Sequence, residues 1–329
     1  MNYRMVAFVL GRIFAIEAGL MLFPLLCAML YGEWYLLPAF LLPAALLAVL
    51  GFITSRKTPK NTTIFARDGL AIVALVWVLM SAFGALPFVI SGEIPSFIDA
   101  FFETVSGFTT TGSSIIPKVE DLSKASLMWR SFSHWIGGMG ILVFILAILP
   151  MAGDYNMHIM RAESPGPSVG KLVPKIRITA KLLYTIYFCM TVVMVILLLV
   201  GKMPVFDSIC MSFGAAGTGG FACRNSGQAD YTVYQQGVIT VFMLLFGVNF
   251  NVYYLMLIRK PKDAFHCEEL RGYLAIVAIA VLFITMNITD VKLEEVALKA
   301  FPYLCTIWLL IILIAACPQL VMFLPNLLM

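Results

Sequence analysis

The stretch Pro95–Ser113, PSFIDAFFETVSGFTTTGS, has a counterpart in Pro204–Phe221, PVFDSICMSFGAAGTGGF. In each, an aspartate stands 13 residues ahead of a glycine, Asp99 before Gly112 and Asp207 before Gly220, and both positions are offset by 108 residues. A repeat of this length marks a duplicated structural unit. Each copy is too short and too polar to cross a bilayer, and each lies between two segments that can. That order is the outline of a re-entrant pore loop and points to ion conduction.

The flanks support this reading. The chain is 61% hydrophobic and only 12% charged, which excludes a soluble enzyme. Uncharged runs occupy Trp34–Ser55, Gly69–Ile90, Ser131–Gly153, Leu182–Gly201, Tyr231–Ile258, Tyr273–Thr289 and Ala300–Met329. Another, Val6–Tyr31, is broken only by Arg12 and Glu17. About 20 apolar residues cross a hydrocarbon core of ~30 Å, so the chain is a polytopic, all-α membrane protein. Basic residues gather in alternate loops: Arg4 and Arg12; Arg56, Lys57, Lys60 and Arg67; Arg161, Lys171, Lys175, Arg177 and Lys181; Arg259, Lys260, Lys262 and Arg271. The positive-inside rule assigns these to the cytoplasm, with the N-terminus, and leaves both re-entrant segments on the outer face. The first span is read as a transmembrane helix of the cell membrane, because no small-residue cleavage site follows a short apolar region.

The expected organisation is two leading helices over 1–58, a helix–pore loop–helix unit over 59–155, a second over 156–262, and an incomplete third with an apolar tail over 263–329. Within each loop a short helix should start near the aspartate, where the positive end of the helix dipole favours Asp99, Glu103 and Asp207. An extended Thr/Gly segment follows. A selectivity filter needs successive carbonyl oxygens aimed at a dehydrated cation, and glycine supplies unusual backbone angles. Thr110, Thr111 and Gly112 fit this role, as do Thr218, Gly219 and Gly220. Asp99, Glu103 and Asp207 would add negative potential at the outer mouth.

These residues, with HWIGGMGILVFILAILP (134–150), AESPGPSVGKLVPKIRITAKLLYTIY (162–187) and GVNFNVYYLML (247–257), resemble the Trk/Ktr/HKT superfamily of potassium transporters, most closely its TrkH-type pore subunits. The resemblance covers residues 1–290. It implies two leading helices and four helix–loop–helix repeats around a pore, K⁺ uptake, a homodimer, and a cytoplasmic nucleotide-binding regulatory subunit of the TrkA/KtrA type. It carries the family's filter glycines onto Gly112 and Gly220. Plant relatives with serine at the first position favour Na⁺, so Gly112 argues for K⁺.

One departure stands out. No glycine follows Gly272, so the tail holds no third glycine filter and the fourth repeat is absent. A truncated or frame-shifted product, leaving the family pattern near Glu294–Ala300, is therefore expected. The alternative function is a non-conducting remnant, or a membrane assembly partner of intact relatives.

Nothing in the sequence suggests catalysis, a tightly bound cofactor, a structural metal site or nucleic-acid binding; K⁺ is the transported ion. Glu17 lies inside a span, where a carboxylate costs at least ~2.5 kcal/mol, and is read as facing another helix. His134 is read as a polar group near a helix start, with Gly137 and Gly138 permitting close helix packing. The seven cysteines are read as small buried hydrophobes, although Cys210 and Cys223 flank the second loop.

Overall fold

A computed structural model describes residues 2–59, 61, 66–138, 140, 176–257 and 260–289. The described residues are all-helical. The first leading span is α1 (Tyr3–Leu20) continued by α2 (Leu22–Leu30), and the second is α3 (Leu37–Ser55). The segment expected as the first repeat holds α4 (Ala66–Ser91), the short α5 (Phe97–Phe108) and α6 (Lys124–Gly138). The second comprises α7 (Ile176–Val200), the short α8 (Val205–Ala216), α9 (Val233–Phe246) and α10 (Phe250–Leu257). A one-turn helix α11 (Pro261–Phe265) leads to α12 (Glu268–Thr289). Among the described residues, four helices are long and apolar enough to cross a membrane, or five when the α9–α10 pair is taken as one span.

The short helices begin where the chemistry places them. Ser96 caps α5 by accepting from the Asp99 N–H at 3.4 Å, which satisfies one of the orphan donors of a helix start. Asp99 then sits in the first turn, as Asp207 does in α8. At α9, Thr232 and Gln235 form a reciprocal capping box, and the Gln235 amide also donates to the Gly201 carbonyl at 2.9 Å, tying the start of α9 to the end of α7. In the packing, α1 lies along α3 and touches α4, while α6 touches α2, α5 and α8. One apolar core joins α1 to α6, centred on Phe40, Phe88, Phe108 and Trp129. A second joins α7, α8 and α9 around Tyr187, Met194 and Phe242.

Two sequence expectations are amended. The uncharged run Tyr231–Ile258, long enough for a single span, instead breaks after Phe246, and its two helices meet at a bend of 87°. The N–H of Gly247 still donates to the Met243 carbonyl. Then Asn249 turns its side chain back to accept from the Asn251 N–H at 2.9 Å, a local bond that competes with helix continuation. His134 is not near a helix start, because α6 begins ten residues earlier at Lys124. Glu17 is fully buried on α1, its carboxylate without a hydrogen-bond partner among the described residues. Cys27, Cys210 and Cys223 are buried in one apolar cluster, as small hydrophobes. The residues expected to carry the helix that begins at α6 on to Pro150, the cytoplasmic connection expected after it, and the tail from 290 onward lie outside the described residues.

Candidate pore-loop site

The two loops share three backbone bonds in register, and the second adds one, from the Gly220 N–H to the Gly214 carbonyl. The Thr109 N–H donates to Val105, as Gly217 does to Phe213; Thr110 donates to Gly107, as Thr218 does to Ala215; Thr111 donates to Ser106, as Gly219 does to Gly214. Each equivalent pair keeps the 108-residue offset. The backbone angles repeat as well: Thr110 and Thr218 both have φ 56°, and Gly112 and Gly220 have φ 76° and 81°. Positive φ is open to glycine but is an outlier for a β-branched residue. A strained conformation held twice, in register, is therefore a shared feature of the loop and not an accident of one turn.

This path turns three successive N–H groups inward to the C-terminal carbonyls of the short helix. Among the described residues, no donor reaches the carbonyl oxygens of Thr110, Thr111, Gly112, Thr218, Gly219 or Gly220. Six acceptors are thus left free beside a segment held by its donors. The first loop is further fixed by Thr109 Oγ1, which bonds the Val105 carbonyl at 2.7 Å and lies 2.9 Å from Thr111 Oγ1.

The loops abut. A Cβ on Gly112 would lie 1.8 Å from the Gly219 carbonyl oxygen, and one on Gly219 would lie 2.5 Å from the His134 ring. That ring belongs to α6, which is wedged between the ends of both short helices. A Cβ on Gly137 would meet the Phe108 carbonyl at 1.9 Å, and one on Gly138 would meet the Gly217 Cα at 2.8 Å. The glycine pair does permit close packing, and what it approaches is the base of both loops. His134 itself is fully buried and stacks on Phe221, with ring centroids 4.0 Å apart.

The carboxylates expected at the outer mouth have different surroundings. Asp99 is half-buried in the first turn of α5. Glu103 is buried and paired with the Arg130 guanidinium, Nε to Oε1 at 2.5 Å; it also accepts from Ser114 Oγ and the Ile115 N–H, each at 3.0 Å. Asp207 is buried beside Arg224 at 3.1 Å and accepts from the Tyr231 hydroxyl at 3.3 Å. Burial and the neighbouring carboxylate push the Tyr231 hydroxyl well above its ordinary pKa, so it stays a donor. The bond that Arg224 donates to Asp207 likewise raises the Arg224 pKa.

Three supports were not foreseen. Glu33, from the turn between the leading helices, accepts from the N–H groups of Lys124 and Ala125 at 2.8 and 3.0 Å. Glu93 accepts from the Ser123 N–H at 2.8 Å and from the Ser126 hydroxyl. Two carboxylates therefore meet the positive end of α6. Asn225 stitches the outgoing limbs together: its side chain accepts from the Val119 N–H and donates to the Pro117 carbonyl, and its N–H donates to Glu120. All three act between residues 30 to 108 positions apart, where no local pattern announces them.

A family model described as a cation transport protein, TrkH, matches residues 39–321. The chain belongs to the TrkH family. The Trk system potassium uptake protein TrkH of Vibrio parahaemolyticus is 34% identical over 282 residues, covering 84% of this chain and 58% of that protein. The protein of the same name from Escherichia coli K12 is 33% identical over 295 residues, covering 87% and 60%. The crystal structure of the potassium transporter TrkH from V. parahaemolyticus matches with a TM-score of 0.73 at 29% identity, over 90% of this chain and 62% of that one. The chain thus spans about three fifths of the length of these TrkH relatives. TrkH proteins are transporters and not enzymes. The TrkH match continues to residue 321, so the region expected to leave the family pattern near Glu294–Ala300 falls inside it.

Proposed function

We propose that this chain forms part of a potassium-uptake pore, in which the carbonyl oxygens of Thr110, Thr111, Gly112, Thr218, Gly219 and Gly220 replace the hydration shell of K⁺. The observation that carries this reading is the repeated loop path, with N–H groups turned inward and six carbonyls left free. Oxygen dipoles fixed beside a cation path are what filter selectivity requires. The left-handed threonines favour the same reading, because strain of this kind concentrates at functional sites. The names of the relatives supply the ion: they are potassium-uptake proteins.

Asp99 contributes negative potential at the outer mouth. The charges of Glu103 and Asp207 are shared with their arginines and hold the loops in addition to any effect on the ion. The chain lies in the cell membrane with its N-terminus in the cytoplasm, pairs as a homodimer, and meets a nucleotide-binding regulatory subunit on its basic cytoplasmic loops. The test is K⁺-dependent growth of a bacterium lacking its own K⁺ uptake. Growth at low K⁺ with the unmodified chain, lost on Gly112→Arg without loss of membrane insertion, supports the proposal. Growth that survives Gly112→Arg contradicts it.

A further inference from the structure

Arg130 touches both filter loops. Its Nε bonds Glu103 of the first short helix at 2.5 Å, and Glu103 in turn holds Ser114 and Ile115, two and three residues beyond Gly112. Its Nη1 donates to the Ala222 carbonyl at 3.0 Å, two residues beyond Gly220. Its guanidinium carbon lies 3.6 Å from the centre of the Phe221 ring, the residue directly after Gly220. The side chain is only 4% exposed. One buried, planar cation therefore grips the limb leaving the first filter through a carboxylate, and the limb leaving the second through a carbonyl and a ring.

We propose that Arg130 is a positioning residue that sets the two filters against each other, so that ion preference depends on the Glu103–Arg130–Phe221/Ala222 chain of contacts. The inference rests on the pore reading above for its effect on ions, but not for its effect on the loops. The chemistry requires arginine. Lysine carries the same charge but is a point donor, lacking the flat fork that can bond a carboxylate and a carbonyl while lying on an aromatic face. Removing one partner of a buried charge pair leaves the other uncompensated, so a change at Glu103 on the first loop releases Arg130 from its hold on the second. Residues merely stabilising one loop would transmit nothing across.

The experiment uses the full chain in lipid nanodiscs and in cells, with Arg130→Lys, Glu103→Gln and the unmodified protein compared. Hydrogen exchange is followed over residues 113–117 and 221–226. Glu103→Gln should raise exchange in 221–226 as well as in 113–117, and Arg130→Lys should do the same with membrane insertion retained. Exchange that rises in 113–117 alone overturns the proposal. In cells where the unmodified chain carries K⁺, both variants should lower the K⁺-over-Na⁺ uptake ratio by about tenfold, and an unchanged ratio overturns the proposal. If the unmodified chain carries no K⁺, the pore reading fails, and the exchange result still decides the positioning role.

Discussion

Gly112 and Gly219 touch across the two loops: a methyl group on the first would lie 1.8 Å from the carbonyl oxygen of the second. Gly220 has a comparable φ of 81° but open space around its Cα. The two loop glycines are therefore unequal. Under the proposed pore function, Gly112→Ala should lower K⁺ uptake by about tenfold or more, because it displaces the neighbouring loop and adds left-handed strain. Gly220→Ala meets only the conformational penalty of roughly 1–2 kcal/mol and should retain more activity. Rubidium or K⁺ uptake at matched expression ranks the two variants.

The wall behind the second loop is His134, 2.5 Å from where a Gly219 methyl would stand. Gly219→Ala alone should abolish uptake. Combined with His134→Ala, which empties the space, part of the activity should return, with a coupling of about 1 kcal/mol or more as expected for residues in contact. A double variant no better than the single one would place the damage elsewhere.

Glu33 and Glu93 should matter to stability and little to ion preference. Each caps the start of α6 from outside its own helix. Glu33→Ala should cost about 1–2 kcal/mol, the range for a lost cap and its interaction with the helix dipole. A lower melting temperature in detergent, with an unaltered K⁺-over-Na⁺ ratio, is the expected result.

Along the limbs that leave the loops, two neighbouring features should behave differently. Asn225→Ala removes two side-chain bonds between the outgoing limbs, leaves the backbone N–H bond to Glu120 in place, and should destabilise by about 1–3 kcal/mol. Lys118→Ala breaks only a well-exposed pair with Asp121 and should leave the melting temperature unchanged.

Much of this architecture can be read from the chain. The short helices follow from Asp99 and Asp207, since first-turn acids are local signals, while the Ser96 cap emerges only in the structure. The paired positions of Gly112 and Gly220, which share a positive φ, follow from the repeat. What stays hidden is long-range or depends on backbone shape. Arg130 reads as an interfacial arginine until Glu103, 27 residues away, and Ala222, 92 residues away, are brought to it. His134 reads as a helix-start residue because the start at Lys124 is set by Glu33 and Glu93, which arrive from other segments. The bend after Phe246 is missed because an apolar run carries no mark of a break beyond Gly247 and Asn249. Nothing in TTTG or GTGG says that the threonine, and not only the glycine, will be left-handed.

That last detail bears on ancestry. A β-branched residue in a left-handed conformation is a state that drift removes unless something holds it, yet Thr110 and Thr218 share it to within a degree. Two separate arrivals at the same awkward turn are a less economical history than one arrival followed by copying. The shared turn is what a copied unit would carry into both loops.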